Sequence, residues 1–325
     1  MENRDIEMPK GRERRHELPL QLTIFGAWLL AFGAAALLEY TPNASLWFPP
    51  AAVTFAAVVV LGLRALPVIW LGCLIVTILA DQVYQRGLSW PDLAAAGTAF
   101  AFTHTIAYAA LGLVFRSEGR QAGFNPGLRS VTWFVIGGLL ASAVSSALGG
   151  LTMIATGMSE ASDIPPLVFA WWIGDYAGLV TIGPLLTLLL IGLSAVFGIR
   201  LPAGLERLAG TTGWVSLFRQ AAPGLALLTG LTMSVLLVLS AFPETSALTL
   251  LLLACLPVNL WLAKTAGAMA TLTGVAGFSV LLAAATGPMG LAEHALALQL
   301  TVIGLAVASY LGLVRSSHRR KRSAG

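Results

Sequence analysis

Residues 167–186 read LVFAWWIGDYAGLVTIGPLL. Asp175 is the only charged residue in the run. About 20 apolar residues in helical form cross a hydrocarbon core of about 30 Å. A membrane β-barrel strand would instead show about ten residues alternating apolar with polar, and no such alternation is present. The stretch therefore reads as a transmembrane helix. Similar runs recur along the chain, which makes the fold all-α, a polytopic transmembrane helix bundle.

Composition agrees. The chain has 325 residues, of which 57% are hydrophobic and only 10% charged. A soluble domain carries about 25% charged residues. The formal charge is +4. In a membrane protein such an excess marks cytoplasmic loops rather than nucleic-acid binding. Cys73 and Cys255 both sit in apolar runs without CxxC spacing, so neither a disulfide nor a metal site is expected. The polar, charged N-terminus lacks a signal-peptide pattern, and the first apolar run is expected to remain as a helix.

We count about ten spans (eight to ten): 20–39, 46–63, 65–83, 92–115, 130–156, 166–193, 222–242, 246–263, 265–286 and 294–314. Residues 1–19 form a basic cytoplasmic segment, 20–314 the integral-membrane domain and 315–325 a basic cytoplasmic tail. With both termini cytoplasmic, the inside segments hold 18 of the 19 Lys and Arg residues, Arg86 being the exception. The outer turns carry acids such as Glu39, Asp92, Glu160, Asp163, Glu244 and Glu293. This bias is the signature of a multi-pass membrane protein. Gly174 and Gly178 have the spacing of helix-packing residues, as do Gly138, Ser142, Ser145 and Gly149. The turns at Arg64 and Lys264 look alike, a faint echo of a transporter-like repeat.

Asp175 falls about 12 Å below the outer boundary at 1.5 Å per residue. There it needs a partner, water or a proton. Trp171 and Trp172, four and three residues earlier, offer indole N–H groups to the carboxylate or to a ligand. Pro184 frees the carbonyl of Val180. Two readings stand: a polar cavity that binds a ligand, or an acid that pins one helix to another. His104 lies near the middle of its span and is a candidate proton-sensitive partner for Asp175. Trp47, before Pro49 and Pro50, fits an interfacial anchor at a helix start. Asn259 fits an interhelical hydrogen bond, and Asp81 a solvated helix end. No phosphate loop, zinc motif or nucleophile elbow occurs. We expect no catalytic residues, no metal and no cofactor, and no enzyme activity.

Two motifs carry a resemblance. Ser45-Leu46-Trp47-Phe48-Pro49-Pro50-Ala51, followed by Leu61-Gly62-Leu63-Arg64-Ala65-Leu66-Pro67, is one. Trp171-Trp172-Ile173-Gly174-Asp175-Tyr176-Ala177-Gly178 with Pro184 is the other. Together they resemble the membrane-associated sensor domain of the first MASE type, over roughly residues 20–315. Ala52 stands where that pattern has glycine. The resemblance implies a sensory domain of the bacterial inner membrane and adds Tyr176 to the candidate site. Such domains usually precede a histidine kinase or diguanylate cyclase, whereas only RSSHRRKRSAG follows the last span here. The expectation is a free-standing sensor with membrane lipid around it. It would bind an unknown small-molecule ligand or respond to a membrane stimulus, and signal to a kinase or cyclase acting in trans. Ligand-binding residues would be Asp175, Trp171, Trp172, His104, Trp47 and Tyr176. The alternative is a small-solute transporter or its membrane subunit; a scaffold is a third reading.

Overall fold

Apolar runs bounded by proline and glycine become the helices of this protein. The computed structural model describes residues 10–120, 127–210 and 246–323, with scattered positions between 222 and 234. Helix α1 spans Lys10–Leu37. Strands β1, Glu39–Thr41, and β2, Ala44–Ser45, form an antiparallel hairpin. Then come α2 Pro50–Leu61, α3 Leu66–Tyr84, α4 Trp90–Gly119, α5 Leu128–Ala155 and α6 Ile164–Val196. The short α7 is Ala203–Gly210, followed by α8 Ser246–Thr265, α9 Gly267–Thr286 and α10 Ala295–Ser323. The expected span at 222–242 falls almost entirely outside the described residues.

Among the described residues, seven helical stretches are long and apolar enough to cross a membrane. The chain is thus an all-α, multi-pass membrane protein. One stretch, Pro50–Tyr84, joins α2 to α3 through the 3-10 turn Gly62–Ala65. That turn reverses the chain. Arg64, within it, pairs with Glu17 of α1. Further along α1, Trp28 meets both partners: its indole donates to Thr54 of α2 at 3.2 Å, and its ring packs on Gly72 of α3. Thr54 and Gly72 flank the turn and lie level with the same tryptophan, so α2 and α3 run antiparallel. Gly62 takes φ +66, which a residue with a Cβ rarely adopts.

All twelve residues of α2 are buried. A helix apolar on every side belongs at the centre of a bundle, and α1, α4 and α6 surround it. At 1.5 Å per residue α2 is only about 18 Å long. It begins at Pro50 rather than 46, because Pro49 and Pro50 occupy the cap and first turn, where missing N–H groups do no harm. The preceding residues run non-helically beside α6. Such backbone survives at depth only when protein satisfies it. Phe48 N–H donates to the Gly174 carbonyl at 3.1 Å, and Gln299 of α10 donates to the Leu46 carbonyl at 2.9 Å.

Gly174 and Gly178 are what admit this segment. A Cβ on Gly174 would lie 2.6 Å from the Ser45 carbonyl oxygen, and one on Gly178 would lie 2.3 Å from that of Phe48. The expectation of helix-on-helix packing at these two glycines is corrected: they seat a non-helical chain. The two motifs behind the sequence resemblance are thus in direct contact. Asp81 also departs from expectation. It is buried, and its carboxylate accepts the Leu88 N–H at 3.1 Å, closing the turn after α3. Asn259 does make an interhelical bond, donating to Ser309 of α10 at 2.7 Å.

Candidate functional site

The helices leave a cavity of about 440 Å³ between α1, α3, α4, α5, α6 and the β1–β2 hairpin. Asp175 of α6 lines its deep part, with His104 of α4. Trp171, one turn along α6, lines it on the side of the hairpin. Ser145 and Ser146 of α5 contribute hydroxyls, and most of the remaining wall is apolar.

Asp175 is buried, 7% exposed. The Tyr108 hydroxyl donates to its Oδ2 at 2.5 Å. Among the described residues no donor reaches Oδ1. Tyr108 is not among the candidate residues to which the sequence points. Its hydroxyl in an apolar helix was the available signal, since a buried phenol seeks an acceptor. His104 does not touch Asp175. Its Nε2 lies 2.9 Å from Thr54 Oγ1, and its ring stands 5.2 Å from that of Tyr108. Histidine and acid are therefore linked through Tyr108 rather than paired.

The tryptophans behave differently from expectation. Neither indole reaches the carboxylate. Trp171 Nε1 donates to the Asn43 carbonyl at 2.5 Å, tying α6 to the hairpin. Trp172 Nε1 donates to the Leu139 carbonyl of α5 at 3.0 Å. Trp47 is not an interfacial anchor: it is 6% exposed, and its indole donates to Thr181 of α6 at 2.9 Å. Tyr176 donates to the Val135 carbonyl of α5 at 3.1 Å. The structure thus brings Asp175, Trp171 and His104 to one cavity. Trp47, Trp172 and Tyr176 are absent from its lining and instead tie neighbouring segments together.

The far end of the cavity holds Arg86, the one basic residue that broke the charge pattern. Its guanidinium donates to Asn43 Oδ1 at 2.6 Å and stands 4.8 Å from the centre of the Tyr84 ring. The Tyr84 hydroxyl donates to Glu39. Asn43 itself sits at φ 63 in the hairpin turn, a conformation asparagine tolerates. The sequence does not point to this group because its members come from two separate connections, the hairpin before α2 and the turn after α3.

Among the described residues no group of three or more His, Cys, Asp or Glu side chains is placed to hold a metal ion. No family model matches the chain, and no curated protein or solved structure matches it either.

Proposed function

We propose that the chain is an integral-membrane sensory protein of the MASE kind that its motifs resemble. It binds a small ligand in the cavity beside Asp175 and passes the change to an output protein. In this reading it has about ten spans, both termini face the cytoplasm, and it carries out no chemistry. The observation that carries the reading is Asp175 itself: a deeply buried acid with one oxygen turned to a cavity and no described donor for it. Intramembrane acids are costly and tend to mark functional sites.

The last helix favours signalling over transport. Gln299 and Tyr310 of α10 bond to Leu46 and Val180, on the two crossed motif segments that back the cavity. A ligand that shifts those segments would move α10, which continues into the basic tail.

The test is thermal unfolding of the purified chain against a panel of small metabolites, beside Asp175→Asn. A compound that raises the melting temperature of the wild type alone supports a site at Asp175, since selective binding stabilises the folded state. Flux of that compound into liposomes would instead favour the transporter reading. If no compound acts and Asp175→Asn merely melts lower, the acid is a pin between helices.

A further inference from the structure

We propose that the cavity binds a hydrophobic organic amine, admitted from the surrounding lipid through a gap between α1 and α3. The proposal rests on the reading of the cavity as a ligand site and names the class of ligand.

The deep end asks for a donor. Tyr108 occupies one oxygen of Asp175, and the other faces the cavity. An ammonium brings three N–H donors and the opposite charge, the combination that a buried carboxylate needs. The walls suit the rest of such a molecule. Trp28 stacks on Phe32 at 5.9 Å, and Phe32 meets Phe48 edge-on at 6.1 Å, with all three rings in the lining. Aromatic faces attract cations and also accept an apolar body.

The opposite end does not compete for the charge. Glu39 and Arg86 are both held on Tyr84, one by its hydroxyl and one over its ring. They offset each other, so among the Asp, Glu, Lys and Arg side chains of the lining Asp175 is the one left unbalanced. This decides against a lipid tail. An acyl chain entering tail-first would desolvate Asp175 and offer it no donor.

The route follows from exposure. Leu79 is 55% exposed and Val83 74% exposed on α3, yet both line the cavity, as do the exposed Gly33 and Ala36 of α1. These positions lie in stretches long and apolar enough to cross a membrane, and the proposed route opens between them toward the lipid. Deeper in the membrane the gap is shut, because the Trp28 ring packs directly on Gly72. A Cβ on Gly33 would meet nothing within 4 Å, which leaves the gap unobstructed.

The experiment uses the full chain in lipid nanodiscs and three probes with one shared body: 4-phenylbutylamine, 4-phenylbutanol and 4-phenylbutanoate. Binding is read by calorimetry and by the unfolding temperature. The expected result is amine affinity at least about tenfold above the alcohol, with no binding of the carboxylate. Asp175→Asn should bring the amine down to the level of the alcohol. Gly33→Phe should slow amine association severalfold while leaving the unfolding temperature without probe unchanged. The three-probe comparison on the wild type decides the ligand class even where Asp175→Asn fails to fold. Alcohol binding as tight as amine, or carboxylate binding tighter, overturns the amine and leaves the cavity a ligand site. Binding of none of the three also overturns it. The broader reading then stands or falls on the metabolite panel. Unchanged association in Gly33→Phe overturns the route.

Discussion

The Tyr310 hydroxyl of α10 donates a hydrogen bond to the Val180 carbonyl of α6. Pro184 has no N–H, so it strips this same carbonyl of its helical partner. A defect in one helix is thereby satisfied by a side chain from another. Tyr310→Phe is expected to cost about 1 to 2 kcal/mol, because it leaves a buried acceptor unpaired. Pro184→Ala restores the N–H, so Tyr310→Phe should cost less in that background. Unfolding free energies of the two single variants and the double variant measure the difference; equal costs in both backgrounds would show that the bond does no such repair.

Gly178→Ala places a Cβ against backbone, 2.3 Å from the Phe48 carbonyl oxygen. Backbone on both sides cannot give way cheaply, and the expected loss is about 2 kcal/mol or more. Gly26→Ala, where a Cβ meets nothing within 4 Å, should be neutral or stabilising by a few tenths of a kcal/mol. Thermal unfolding of the pair in one detergent checks the contrast.

Trp47→Phe removes the indole that donates to Thr181 and should lower stability by about 1 to 2 kcal/mol. Trp90→Phe serves as the comparison. Trp90 is 74% exposed at the start of α4, and its substitution should stay within about 0.5 kcal/mol. A true interfacial anchor at Trp47 would give similar small losses at both positions.

The helices were legible because each is written locally, in runs of apolar residues with proline and glycine at the breaks. The freed Val180 carbonyl was legible too, since Pro184 and Val180 lie one turn apart. Its donor was not, because Tyr310 is 130 residues away and nothing near either residue signals the other. The same limit explains the tryptophans. Trp171 and Trp172 are close to Asp175 in sequence, but their indoles are taken by the carbonyls of Asn43 and Leu139, which are far away along the chain. Trp47 looked like an anchor because aromatic residues at helix starts usually face the interface. Only the non-helical segment crossing Gly174 and Gly178 turns it inward, and glycine spacing alone does not distinguish a seat for backbone from a seat for a helix.

Tyr108 and Asp175 should be energetically coupled. Tyr108→Phe removes the described donor of the carboxyl, and Asp175→Asn changes the acceptor. A double-mutant cycle should show an interaction of about 1 to 3 kcal/mol. Strict additivity of the two substitutions would mean that the hydrogen bond contributes nothing to the folded state.

The reversal at Gly62–Ala65 has a topological test. Arg64 pairs with Glu17 at one end of the bundle, while Arg86 meets Asn43 at the other. In a background with Cys73 and Cys255 replaced by alanine, Arg64→Cys and Arg86→Cys should react with a membrane-impermeant maleimide from opposite sides. Labelling from the same side would contradict a crossing of the membrane by α3, the helix that leaves this turn.

The segment ahead of α2 also constrains the order of assembly during synthesis. Trp47 finds Thr181 134 residues later, and Leu46 finds Gln299 253 residues later. Until those helices emerge from the ribosome, the polar groups at 46–48 lack the partners that make their depth tolerable. The Trp-Phe-Pro-Pro stretch must therefore wait near water or within the insertion machinery. Its final seat exists only when the last helix arrives, so a nascent chain halted before α10 should present this stretch to proteases that the finished protein resists.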